Sequence, residues 1–162
     1  FDQVFSAETA YQMTSILEGV VKRGTGKGLR DLNLDIAGKT GTTNKNTDTW
    51  FVGFTSKLVI GIYVGLDDPK TLGKHETGAK TAMPIFKDFV KKAINKKDAR
   101  PFKVAENITM MVINRLTGKK ADINTKDTIV EIFKESEINN VLTKKNTDIN
   151  NRLKNNNILR FY

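Results

Sequence analysis

Thr49-Trp50-Phe51-Val52-Gly53-Phe54-Thr55-Ser56-Lys57-Leu58-Val59-Ile60-Gly61-Ile62-Tyr63-Val64 is the stretch whose reading decides the fold. Its two halves, Thr49–Thr55 and Leu58–Val64, are rich in aromatic and β-branched residues, which suit a pleated, half-buried surface. Only Ser56 and Lys57 separate them, so they read as an antiparallel hairpin with a short turn. Upstream, Leu34–Thr43 is a candidate strand weakened by Gly38 and Gly41. The polar turn-formers Asn44-Lys45-Asn46-Thr47-Asp48 join it to the hairpin. The expected fold class is α/β, an antiparallel sheet of at least three strands with packed helices.

Working outward, Phe1 to about Val21 reads as a helix, with Ser6 as N-cap and Glu8 in the first turn, where a negative charge suits the dipole. Ala10, Met13, Leu17, Val20 and Val21 recur at helical spacing as one apolar stripe. Lys22-Arg23-Gly24-Thr25-Gly26-Lys27-Gly28 stops that helix and reads as a loop. Leu66–Gly78 is a second loop, holding Asp67-Asp68-Pro69. The strongest periodic signal follows it: Ala79, Ala82, Met83, Phe86, Phe89, Val90 and Ala93 share one helical face. Pro84 falls near the start, where a missing N–H is tolerated. Two short strands, Ile108–Asn114 and Thr128–Phe133, come next, with a turn at Gly118. From Glu137 to Tyr162 Asn and Lys dominate and apolar residues are sparse, the composition of a mobile tail or a marginal helix without its own core.

The chain has 162 residues, 38% of them hydrophobic, enough for one ordinary domain. Its net charge of +9 suits an anionic partner, such as nucleic acid, a lipid surface or an acidic polymer. The density of Lys, Asn and Ile also fits an A/T-rich coding sequence, so part of that excess reflects codon usage. Without cysteine there are no disulfides or thiolate metal sites, and the redox compartment goes unreported. No apolar run is long enough to span a membrane. The chain starts at Phe1 without a signal-like segment, so the natural N-terminus is expected upstream.

Several motifs fail on inspection. Gly24-Thr25-Gly26-Lys27-Gly28 lacks phosphate-loop spacing, follows no strand and ends a helix where a phosphate loop would start one. His75-Glu76 lacks a second histidine one turn later, where Ala79 stands, so no metal site and no cofactor is expected. As the lone histidine, His75 reads as a surface residue. Ala37-Gly38-Lys39-Thr40-Gly41-Thr42-Thr43 is more informative. On a strand Lys39 and Gly41 share one face, Thr40 and Thr42 the other. Twist, or a bulge at the glycines, is expected to turn these groups toward one cleft. Gly41 would let a substrate backbone approach, Lys39 would supply a cation, and the two hydroxyls would bind a carboxylate.

Lys39-Thr40-Gly41 resembles the Lys-Thr-Gly element of penicillin-binding proteins and β-lactamases. Its surroundings resemble the class A, bifunctional penicillin-binding proteins over most of the chain. Thr9-Ala10-Tyr11-Gln12-Met13-Thr14-Ser15, running on to Gly24-Thr25-Gly26, is similar to the family segment before this strand. So are Asp48-Thr49-Trp50-Phe51-Val52-Gly53-Phe54-Thr55, Ile62-Tyr63-Val64-Gly65 with Asp67-Asp68-Pro69, Glu76-Thr77-Gly78 and Pro84-Ile85-Phe86-Lys87-Asp88-Phe89 to the segments after it. The likeness is dense to about Pro101, looser to about Ser136, and absent from the tail. It implies three parts: residues 1–100 as the C-terminal portion of a transpeptidase domain, 101–136 as a small β-rich extension, and 137–162 as the tail.

By that resemblance Lys39 sets the electrostatics of an acyl-transfer site, and the backbone N–H of Thr42 is an oxyanion donor. Thr40, Gly41, Thr42, Thr43 and Asn44 line the substrate cleft, and Trp50 packs. The implied activity is peptidoglycan D,D-transpeptidation, a serine-type acyl transfer from D-Ala-D-Ala stem peptides inhibited by β-lactams. The implied setting is the periplasmic side of the inner membrane, with a glycosyltransferase domain and a membrane anchor elsewhere in the parent protein. Two elements of the family pattern are missing. Acyl transfer needs a nucleophilic serine with a base beside it, which the family's Ser-x-x-Lys provides. Ser6 is followed at the third place by Thr9, Ser15 by Glu18, Ser56 by Val59 and Ser136 by Asn139. Ser-x-Asn is absent as well.

The chain alone is therefore expected to be inactive, and its expected partner is the N-terminal half of the transpeptidase domain. Without that half, the strand ending near Val64 is expected to expose an edge through which the chain self-associates. A rival reading is a non-catalytic interaction module or gene remnant that binds a partner protein or acidic polymer. A nucleic-acid partner ranks last, because no helix-turn-helix, zinc or RNP-type motif is present.

Overall fold

The computed structural model of the chain describes residues 2–95, 97 and 99–138. The described residues divide into two compact units, 16–103 and 2–15 with 104–138.

In the first unit, strands β1 (Ala37–Thr42), β2 (Thr49–Phe54) and β3 (Val59–Val64) form an antiparallel sheet in the order β1-β2-β3. This is the α/β arrangement expected from the sequence. The hairpin closes as read, with the Thr55 amide donating to the Leu58 carbonyl at 2.9 Å. β1 begins at Ala37 and not Leu34, because Asn33 takes a left-handed conformation (φ 52) that ends a 3₁₀ turn over Lys27–Leu32. Lys27 and Gly28, expected in a loop, thus open this 3₁₀ turn, which buries Leu29 and Leu32.

Helix α1 (Ala7–Arg23) starts after Ser6, whose carbonyl accepts from Ala10 N–H at 3.0 Å and whose Oγ accepts from Thr9 N–H at 3.3 Å. The cap was legible, but a start at Phe1 was not compatible with it, since a capping residue is the last non-helical one. The apolar stripe is covered only at its C-terminal end: Val20 and Val21 are buried, whereas Ala10 and Met13 are exposed.

Helix α2 (Ala82–Ala93) starts three residues later than Ala79, because Thr77–Thr81 forms a separate turn closed on the Thr77 carbonyl. Its face packs on the sheet through Ala82, Met83, Phe86 and Val90, while Phe89 and Ala93 stay exposed. The core joins these to Val21, Leu29, Leu32, Ile36 and Phe51. Phe51 and Phe86 meet edge-on with ring centroids 4.7 Å apart, an arrangement that suits the ring quadrupoles. Lys87 ties α2 to the 3₁₀ turn, reaching Asp31 at 2.7 Å and the Gly28 carbonyl at 2.6 Å.

In the second unit β4 (Ile108–Asn114) pairs antiparallel with β5 (Thr128–Lys134). Gln12 of α1 donates to the Ile132 carbonyl at 3.2 Å. Met111 and Ile113 are buried, and the opposite face leaves Met110, Val112 and Val130 about half exposed. Gly118 makes the expected turn with φ 69. Glu135–Glu137 closes as a 3₁₀ turn. The rest of the Asn/Lys-rich stretch, from residue 139, lies outside the described residues.

Candidate functional site

β1 pairs with β2 from Ala37↔Phe54 to Thr42↔Thr49 without a break. No bulge turns Lys39 and the threonines together, contrary to one route expected from the sequence. Backbone parity does the work instead. The Thr43 amide donates to the Asp48 carbonyl at 3.0 Å, and bonded and non-bonded pairs alternate along an antiparallel ladder. The N–H and C=O groups of Thr40 and Thr42 therefore point away from β2. Among the described residues β1 has no neighbour on that side. Lys39 folds round to the same edge, its Nζ donating to the Thr40 carbonyl at 3.0 Å. An ammonium, two unpaired backbone amides and two hydroxyl-bearing residues thus meet along one strand edge.

The hydroxyls are held from the α2 side of the sheet. Thr40 Oγ1 lies 2.9 Å from Thr25 Oγ1, and Thr42 Oγ1 accepts from the Gly78 amide at 3.1 Å. Fully buried Thr49 is satisfied by the Thr81 hydroxyl and the Val64 carbonyl, as a buried polar group requires. Neither Thr25 nor Gly78 stood out in the sequence as a site residue. Each belonged to a segment read as loop, and proximity across 15 and 36 positions leaves no periodic trace.

Thr43 and Asn44 stand where β1 gives way to a turn with left-handed Lys45 and Asn46 (φ 67 and 52). Asn46 braces it, donating from its side chain to the Gly73 carbonyl at 3.2 Å and accepting from Leu72 N–H at 2.8 Å. Asp48 organises the strand end. Its carboxylate accepts from the Tyr63 hydroxyl at 2.8 Å and the Thr47 hydroxyl at 2.9 Å, while its N–H donates to Thr43 Oγ1 at 2.9 Å. The Tyr63 bond, then the Thr47 bond, holds the Asp48 carboxyl below the ordinary carboxylate range. The same Asp48 bond pushes the Tyr63 phenol up. Trp50 packs against Tyr63, with centroids 4.8 Å apart, and remains 43% exposed.

A cavity of about 310 Å³ lies at the other end of the strands, lined by Leu34, Ser56, Lys57, Ile94 and Arg100 among others. It holds none of the predicted site residues. His75 is an exposed loop residue. Among the described residues no group of three or more His, Cys, Asp or Glu is placed to hold a metal ion. No helix among them is long and apolar enough to cross a membrane.

The family model described as "Penicillin binding protein transpeptidase domain" matches residues 2–91. The chain belongs to the penicillin-binding protein transpeptidase family. Within it, the relatives are class A proteins. Penicillin-binding protein 1A of Rickettsia conorii is 45% identical over 151 residues, covering 93% of this chain and 18% of the relative. Penicillin-binding protein 1A of Pseudomonas aeruginosa is 39% identical over 137 residues, covering 84% and 17%. The crystal structure of penicillin-binding protein 1A from Haemophilus influenzae superposes with a TM-score of 0.71 at 34% identity, covering 80% of this chain and 20% of that one. The chain thus spans about a fifth of the length of the relatives it matches.

Proposed function

We propose that this chain supplies one wall of a serine-type D,D-transpeptidase site that cross-links peptidoglycan. The observation that carries the reading is the placement of Lys39 Nζ and the Thr42 N–H at the unpaired edge of β1, with the Thr40 and Thr42 hydroxyls held on the adjoining α2 face. Lys39 sets a positive potential, and the threonine hydroxyls donate to the carboxylate of a D-Ala-D-Ala stem peptide or a β-lactam. The Thr42 amide points to where an attacked carbonyl oxygen gains charge. Gly41, Thr43 and Asn44 border the cleft. Residues 1–100 carry this wall and 101–136 a β-rich extension. The nucleophile and its base come from a Ser-x-x-Lys segment in the N-terminal half of the domain, two strands of which pair beside β3. The setting is the periplasmic side of the inner membrane, as the family implies.

The test is intact-mass analysis after incubation with benzylpenicillin. The chain alone gives no penicilloyl adduct. Mixed with the Ser-x-x-Lys half of the Rickettsia conorii relative's transpeptidase domain, it yields an adduct on the relative's serine that Lys39→Ala abolishes. An adduct on this chain by itself, or one indifferent to Lys39, contradicts the reading.

A further inference from the structure

Gly78 lies in the loop between β3 and α2 and has no side chain to offer a ligand, yet its backbone is pressed onto the Gly41–Trp50 pair. A Cβ there would collide with the Trp50 carbonyl oxygen and stand 2.6 Å from the Gly41 carbonyl oxygen. Only glycine allows backbone to come so close to backbone. From that position its N–H donates to Thr42 Oγ1 at 3.1 Å, and its carbonyl accepts from Met83 N–H at 2.8 Å. The residue is pinned between the first turn of α2 and the Lys-Thr-Gly strand.

The chemistry of the hydroxyl gives this contact a consequence. A threonine hydroxyl has one proton to donate and two lone pairs. An amide N–H only donates, so Gly78 fills one lone pair and leaves the Thr42 proton unused. Thr42 is exposed, and no other group among the described residues bonds its side chain. Thr40 differs, since its hydroxyl is shared with Thr25 and either of the two can be the donor.

We propose that Gly78 is a positioning residue that fixes Thr42 Oγ1 so that its O–H is presented, ready to donate, to a ligand carboxylate at the β1 edge. This rests on the reading of that edge as a carboxylate-binding wall.

The test titrates the ¹⁵N-labelled chain with benzylpenicillin and with its methyl ester, which lacks the anionic acceptor. Gly78→Ala should weaken the acid by about tenfold or more, the worth of one hydrogen bond to a charged group. The ester should change by less than about threefold, since it lacks the charge that strengthens such a bond. Thr42→Val should give the same split and should also speed hydrogen exchange at the Gly78 amide, because its acceptor is gone. Thr42→Ser should restore both. If Gly78→Ala does not fold, the Thr42 pair decides. Equal losses for acid and ester mean a merely structural glycine and overturn the proposal. So does an unchanged acid affinity in Thr42→Val, or an unchanged Gly78 exchange rate. Failure of the unsubstituted chain to bind the acid overturns the wall itself, and the positioning role falls with it.

Discussion

β1 and β3 flank the same central strand, but their outer edges offer different chemistry. β1 is Ala-Gly-Lys-Thr-Gly-Thr, with a lysine folded over its open side. β3 is Val-Ile-Gly-Ile-Tyr-Val, with Val59 73% exposed and Ile60, Ile62 and Val64 packed against the core. Charge and glycine on an edge discourage a further strand and leave amides free for a small ligand. An apolar β-branched edge has no such protection and invites another strand. On the proposed function the two edges take two occupants, a carboxylate-bearing ligand at β1 and a strand at β3.

Both edges depend on the support beneath them, and removing it gives the largest expected effect. Phe86 is fully buried against Phe51, so Phe86→Ala is expected to cost about 3–5 kcal/mol. Denaturant melts check this. Loss of one edge's amide protection without the other would break the idea of a shared support.

The next effect is on association. The unsubstituted chain is expected to sediment as a dimer or larger species at tens of micromolar, on the order of a weak interface. Val59→Lys, which gives β3 the kind of charge β1 already has, should shift it to monomer with stability changed by less than about 0.5 kcal/mol. A monodisperse monomer before substitution would remove the contrast.

At β1, Lys39→Ala is expected to weaken benzylpenicillin binding about tenfold or more, the worth of a charge-assisted contact, with sedimentation unaltered. A change in association instead would mean that the lysine guards the edge and does not serve a ligand.

The smallest effect concerns the strand end. Asp48 is depressed by its hydrogen bonds, so its stabilisation is present above the ordinary carboxylate value of 3.8 and is lost as pH falls through the lower folded value. Tyr63 is raised, so its share is present below 10.0 and is lost as pH rises through the higher folded value. Asp48→Asn should flatten stability at both extremes and bring the Tyr63 ultraviolet titration midpoint down. An unmoved midpoint would show that the Asp48 bond is not formed in solution.

The strands were legible because their signals are local. Alternating β-branched and aromatic residues around Ser56-Lys57 allow one register, and Ile108–Asn114 was read with its observed bounds. The Lys-Thr-Gly residues were legible as types in a pattern. How they converge was not, since the edge to which an amide points depends on which neighbour the strand pairs with. Helical periodicity shows which residues share a face but not which part of it meets a partner, so Met13 and Phe89 belong to apolar faces and yet prove exposed. Thr25 and Gly78 were beyond sequence reasoning for the same reason, because each acts through a neighbour distant in the chain. Their glycine-containing loops hold the only signal, and it does not name a partner.

The most direct test of the β1 edge as a ligand wall is an amide chemical-shift titration of the unsubstituted chain with benzylpenicillin. Shifts confined to Lys39–Asn44, Thr25 and Gly78, with β3 silent, are the expected result. Shifts along Val59–Val64, around the Ser56–Arg100 cavity, or nowhere would contradict it.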